Sequence, residues 1–313
     1  MEKSRTRRTS RPPARACKWL LYAHNELHCQ AVFTPSRKPF CRPRKKRASG
    51  AFNGYHVGMG KHSSRHGGKS PARPPGKQPE ADILYGLHTC SEALKNPRRE
   101  FLSALVTRNA LARVGDEFTA AGVEPEVVLP KELDRRLGGD AVHQGVMLTA
   151  RPLGQPRLDQ IARSGLVVML DQVTDPHNVG AIVRSACAFN VTAVVTTARH
   201  SPLGSAVMAK AASGALEHVP FVKVTNLARA MDELKDYGFE IFGLDSDAPG
   251  MLDCAMDVPD AAAIVLGAEG KGLRQLTRGK CDHLARLPLP GPIRSLNVSN
   301  AAAIALYAMT RAA

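Results

Sequence analysis

Apolar and polar residues along this chain fall into two regimes that meet near residue 80. Beyond that point short apolar runs alternate with helix-period stretches; before it no apolar period is sustained. The runs at 166–170 (LVVML) and 261–266 (AAAIVL) are short, aliphatic and free of alternation, which predicts strands buried on both faces of a mainly parallel sheet. Strands are predicted at 166–171, 191–197, 218–224, 240–244, 262–267 and 284–287. A helix is predicted over 226–237, where Leu227, Ala230, Met231 and Leu234 recur at helical spacing. Upstream, 83–85, 104–107, 127–129 and 146–149 predict short strands and 90–96 a helix, together a small α/β sandwich. The predicted fold class is therefore α/β. Residues 80–150 form one unit, 151–165 (RPLGQPRLDQIARSG) a linker, and 166–313 a larger unit of alternating strands and helices.

Three segments of the larger unit carry polar residues where pattern alone would not place them. In DQVTDPHNVGAIVRSACA, Asp175 and Pro176 form a helix start, an N-cap followed by proline at the first helical position. Asn178 follows at once, and Arg184 interrupts an otherwise small and apolar helix. In AAAIVLGAEGKGL a buried strand runs into Gly267, Gly270 and Gly272 around Glu269. The glycines permit close backbone approach to a ligand, and open α/β sheets bind ligands at the carboxyl ends of their strands. The dinucleotide fingerprint G-x-G-x-x-G is absent. In LPLPGPIRSLNVSNAAAIALYAM, a proline-rich loop delivers Ser295, Asn297, Ser299 and Asn300 to the mouth of an apolar helix. One N-cap accounts for one or two of these; a site that reads a polar ligand accounts for all four.

In this order and spacing, the three segments resemble the three motifs of the SpoU (TrmH-like) class of SPOUT RNA ribose 2′-O-methyltransferases. YGLHTCSEALKNPRR and HQGVMLTA are similar to the N-terminal domain of the RlmB branch, which methylates a guanosine ribose of large-subunit ribosomal RNA. The resemblance implies S-adenosylmethionine as methyl donor, a deep C-terminal trefoil knot, and a homodimer that completes the site. It implies that backbone groups at Gly267, Leu287 and Leu296, with Thr196 or Thr197, hold the adenosyl moiety. It assigns Asn178, Arg184, Glu269, Ser295 and Asn297 to substrate and catalysis, and RNA recognition to residues 80–150. There Arg98 and Arg99 are candidate phosphate contacts or simply a solvated helix end. The family's proposal makes Arg184 a base, yet a guanidinium keeps its proton in proteins. A clamp on an RNA phosphate fits its chemistry better, with that phosphate or a water taking the proton. Glu269 is expected to hold Arg184 or the target base, or else to cap the following helix. The rival readings are a TrmH-type tRNA methyltransferase and a non-catalytic RNA-binding protein.

Net charge is +15, but it is unevenly placed. Residues 1–79 hold 19 Lys/Arg against 2 acids, a net +17, and residues 80–313 hold 24 against 26, a net −2. The globular part must therefore bind RNA through local patches and shape rather than overall charge. The segment 1–79 cannot bury enough apolar surface to order itself and is expected to be disordered. It reads as a basic RNA-binding arm, as a transit peptide, or, for 1–58, as sequence upstream of a start at Met59. The seven cysteines form no CxxC pair, which predicts reduced thiols in a cytoplasmic protein without a metal site. His62 and His66 sit four apart in a Gly/Ser/Lys-rich stretch that offers no fold to hold a metal. No apolar run reaches the roughly 18 residues of a membrane-spanning helix.

Overall fold

The computed structural model describes residues 81–252 and 257–312. The readings made for 1–79, including His62 and His66, lie outside the described residues, as do Cys17, Cys29, Cys41 and Cys254.

The first elements are β1 (Asp82–Tyr85), α1 (Leu87–Lys95), β2 (Phe101–Val106), α2 (Arg108–Ala121), β3 (Glu126–Val127), α3 (Pro130–Leu137) and β4 (Val146–Ala150). They form a four-stranded sheet of order β1-β4-β2-β3, antiparallel except for the β2–β3 pair. Leu84, Val106, Phe118 and Leu148 are the centre of its core. Thr107 caps α2 by accepting from the Ala110 amide, and Gly122, at φ 64°, ends the helix in the left-handed region.

The larger unit comprises β5 (Gly165–Asp171), α4 (Pro176–Ala188), β6 (Ala193–Thr197), α5 (Ala206–Ala212), β7 (Phe221–Val224) and α6 (Leu227–Asp236). It continues with β8 (Glu240–Leu244), β9 (Gly250–Met251), β10 (Ala261–Gly267), α7 (Gln275–Lys280), β11 (His283–Arg286) and α8 (Val298–Ala312). The sheet order is β7-β6-β5-β10-β8-β11-β9, and every neighbouring pair is parallel. The absence of alternation in the apolar runs has its reason here. Val168, Leu170, Ile264 and Leu266 face a core shared with α4 and α8, while Val167, Met169, Ala263 and Val265 face a second core shared with α6. Each fully buried aliphatic side chain contributes roughly 1.5–3 kcal/mol, so both faces of β5 and β10 are committed.

Within 151–165, Leu158 and Ile161 pack into the α6-side core, so this half of the expected linker is anchored. Among the described residues no helix is long and apolar enough to cross a membrane. Cys90, Cys187 and Cys281 carry free thiols, and burial pushes Cys281 up to about 11, so it offers no thiolate near neutral pH.

Candidate active site

At the carboxyl ends of β8, β10 and β11 the chain opens a cleft of about 1470 Å³, walled by Leu266, Gly267, Glu269, Leu287, Leu289 and the 294–297 loop. The glycine turn after β10 forms one wall. Gly272 N–H donates to the Ala268 carbonyl at 2.9 Å, folding the turn onto the end of its own strand. A Cβ on Gly267 would lie 2.2 Å from the Gly272 carbonyl carbon, so the lack of a side chain there serves the turn itself. Gly270 and Gly272 have φ of 76° and 62° with open space around them, so conformation demands glycine at both. The far end of the turn is tied down by Asp171, which accepts from Arg274 N–H at 3.1 Å and from its Nε at 2.6 Å. Sequence reasoning missed this pair, although an acid closing the apolar run LVVMLD is a visible signal.

The opposite wall is the loop 288–296. Among the described residues it makes no backbone–backbone hydrogen bond, and Pro288, Pro290 and Pro292 have no N–H to offer. Its remaining amides and carbonyls, without a backbone partner among the described residues, lie beside the apolar side chains of Leu287 and Leu289. Backbone donors and acceptors next to an apolar slot suit a flat, heteroatom-bearing ring.

Three of the expected side chains meet at one carboxylate oxygen. Glu269 Oε1 accepts from Asn178 Nδ2 at 2.9 Å, from Asn297 Nδ2 at 2.6 Å and from Val298 N–H at 3.3 Å. Asn297 Nδ2 also donates to Asn178 Oδ1 at 3.0 Å, and Asn297 Oδ1 caps α8 by accepting from Ser299 N–H at 2.9 Å. Asp175 caps α4 from the other side, accepting from the amides of His177 and Asn178. Two helix starts and the glycine turn are thus joined through Glu269, which holds both asparagines and also caps a helix.

The remaining expectations are met unevenly. Ser295 lines the cleft but is exposed, as is Asn300; neither sits at a buried helix mouth. Leu287 is buried, while Leu296 lines the cleft and is 39 % exposed. Thr196 is buried within β6, paired to β5 and β7, and does not border the cleft. The adenosyl role expected for it is therefore not supported by its position; Thr197, whose buried Oγ1 finds no hydrogen-bond partner among the described residues, does not border the cleft either. Arg184 is exposed and, among the described residues, unpaired; the expected Glu269–Arg184 contact does not form within one chain. Six residues along α4 carry it roughly 9 Å from Asn178 and about 240° around the axis. Arg99, expected as a phosphate contact, is buried in an ion pair.

Residues 165–307 match the SpoU rRNA Methylase family, and residues 83–156 match the RNA 2′-O ribose methyltransferase substrate binding family. The 23S rRNA (guanosine-2′-O-)-methyltransferase RlmB of Vibrio vulnificus is 38 % identical over 240 residues, covering 74 % of this chain and 96 % of the relative. The chain belongs to the SpoU methylase family. RlmB of Yersinia pestis is 37 % identical over 242 residues, 74 % of this chain and 97 % of its own length. The SpoU methyltransferase AviRb of Streptomyces viridochromogenes, solved in complex with AdoMet, shares the fold. Its TM-score is 0.64 at 23 % identity, over 74 % of this chain and 90 % of that one. The glycine turn, the 288–296 loop and the asparagine–glutamate cluster all lie within the matched residues 165–307.

Proposed function

We propose that this chain transfers a methyl group from S-adenosylmethionine to the ribose 2′-hydroxyl of a guanosine in large-subunit ribosomal RNA. The observation that carries the reading is the convergence of Asn178, Asn297 and Glu269 beside a cleft whose loop wall has no backbone partner among the described residues. Support for the substrate comes from the RlmB relatives' names and from the substrate-binding match upstream. In this reading, residues 80–150 hold RNA and 166–313 carry the methyltransferase, with 151–165 between them.

Backbone groups of Gly267, Leu287 and Leu296 would hold the adenosyl portion, in a cleft larger than the roughly 300–1,000 Å³ of a single small-molecule pocket. When bound, S-adenosylmethionine supplies an electrophilic sulfonium methyl. The protein's share is positioning and proton management. Glu269 fixes the two asparagine amides, Ser295 offers a hydroxyl to the cleft, and Arg184 clamps a substrate phosphate that, directly or through water, accepts the 2′-proton. The insertion of β10 between β5 and β8, with α8 packing onto α4 and β10, is compatible with a C-terminal trefoil knot. The direct test offers tritiated S-adenosylmethionine with unmodified 23S rRNA and with total tRNA. Label at a guanosine ribose of 23S rRNA is the expected result. Label in tRNA alone would favour the TrmH-type reading, and failure to bind the cofactor in calorimetry would leave only an RNA-binding protein.

A homodimer is part of this proposal. Ile304 and Tyr307 expose apolar surface on α8 beside Phe189, whose ring meets Tyr307 edge-on at 6.4 Å. A second copy would cover that face, and its Arg184 would reach a site that the chain's own Arg184 does not. Arg184→Ala and Glu269→Ala chains, each inactive alone, are then expected to regain about a quarter of wild-type activity when mixed, because each mixed dimer keeps one whole site. No recovery after confirmed subunit exchange would place Arg184 in its own chain's site.

A further inference from the structure

Among the described residues, Arg99 and Glu217 form a buried charged cluster away from the cleft. Arg99 follows α1 in the small-sheet unit, and Glu217 lies in the turn after α5 in the larger unit, 118 residues away. Both side chains are 2 % exposed. Their pairing is bidentate: Nη2 to Oε1 at 2.8 Å and Nε to Oε2 at 2.9 Å. Asn96 Nδ2 adds a bond to Oε2 at 2.7 Å, and Arg98 Nη2 donates to the Glu217 carbonyl at 2.8 Å. Arg99 Nη1 completes the set with Asp82 Oδ2 at 2.8 Å and the Arg151 carbonyl at 3.1 Å. The cluster ties together α1's end, β1, the start of the linker and the α5 turn.

We infer that the Arg99–Glu217 pair is an orienting latch that sets the angle of the small-sheet unit over the methyltransferase unit. Arg99 and Glu217 are then positioning residues for RNA, with no direct contact to it. The inference rests on reading the small sheet as the RNA-holding unit. Two physical points carry it. A buried ion pair gives up hydration that an apolar pair would not, so its best-attested use is to fix register. A planar guanidinium–carboxylate fork also fixes direction as well as distance. The other polar contacts across this junction hold direction more weakly: Lys210 Nζ to Gln144 Oε1 at 2.9 Å and His218 Nε2 with Glu92 Oε2 at 2.8 Å lie at the exposed surface, and Thr89 Oγ1 reaches the Ala209 carbonyl only at 3.5 Å. The linker residues Pro152, Leu153 and Pro156 border a cavity of about 780 Å³ there, with Arg99 in its wall. The apolar contacts of Ala209 and Leu216 with the small core bring the units together without selecting an angle.

The test uses the full chain carrying donor and acceptor dyes on unnatural residues at exposed positions 129 and 276, diluted into unlabelled protein for single-molecule energy transfer. Wild type is expected to give one narrow distribution. Arg99→Met is expected to broaden it and to lower kcat/KM on rRNA by about a hundredfold, the scale of an ångström-sized misplacement. Its affinity for S-adenosylmethionine should stay within about twofold of wild type, since the cleft is built from other elements. The double variant Arg99→Met/Glu217→Met removes the unpaired buried charge. It should regain thermal stability yet keep the broad distribution, a split that a merely stabilising pair would not give. A narrow distribution in both variants overturns the latch, and so does a broad one with unchanged kcat/KM. If wild type transferred no methyl group, the proposed reaction would fall, while the distance distributions would still decide whether the pair orients the units.

Discussion

Glu269→Ala is expected to lower the single-turnover methylation rate by about a hundred- to a thousandfold, whereas Glu269→Gln should lose only about tenfold. The difference follows from where the donors converge. The Asn178 and Asn297 amides and the Val298 N–H all reach the same oxygen, Oε1. A glutamine can leave its carbonyl oxygen in that place and turn its NH2 outward, so geometry survives and only the charge is lost. Alanine removes the acceptor, leaving two asparagine side chains free to rotate away from the cleft. Because Glu269 is exposed, water replaces part of the lost bonding and the fold itself should persist. The effect therefore belongs in the rate at saturating cofactor and RNA, with circular dichroism unchanged. An alanine variant within about threefold of wild type would reduce the cluster to a helix cap.

The candidate site was legible in sequence wherever a residue type was unusual for its local element. Asp175, Asn178, Glu269 and Asn297 are polar residues at strand-to-helix junctions, and the structure brings them within hydrogen-bond reach of one another. That Thr196 lies away from the cleft could not be read locally, because position at the end of a strand does not say where that strand sits: β6 lies two places from β10 in the sheet, and the order β5-β10-β8 arises only from tertiary threading. Within one chain Arg184 stays apart from Glu269 for a helical reason, since six residues turn the side chain away from Asn178. Of the fold, the fully buried strands were plain, and 240–244 coincides with β8. The helices α2 and α3 were not read, because α2 buries only Ala110, Val114 and Phe118, a single narrow stripe among charged residues and Gly115. α3 buries only Leu133. Arg99 illustrates the opposite limit. Nothing local distinguishes a buried arginine from its exposed neighbour Arg98, because the partner that buries it, Glu217, is far along the chain.

Gly267→Ala is expected to abolish cofactor binding at concentrations up to about a hundred times the wild-type Kd, and to lower the thermal midpoint by several degrees. An added Cβ would lie 2.2 Å from the Gly272 carbonyl carbon, 2.4 Å from its oxygen and 2.5 Å from the Leu273 nitrogen. All three are backbone atoms, so no side chain can swing aside and the turn itself must move. That turn carries Glu269 and forms one wall of the cleft, and its far end is anchored through Arg274 to Asp171. A displacement at Gly267 therefore has no slack to absorb it and passes into the cluster. Two further alanine substitutions separate crowding from loss of glycine as such. Gly270→Ala meets open space but keeps a φ of 76°, so it should cost about 1 kcal/mol in stability with cofactor affinity largely kept. Gly279→Ala, in α7, meets neither obstacle and should be neutral or slightly stabilising. Calorimetric titration with S-adenosylmethionine, alongside melting curves, orders the three. A Gly267→Ala chain that still binds with wild-type affinity would mean that the turn after β10 does not shape the cofactor's pocket.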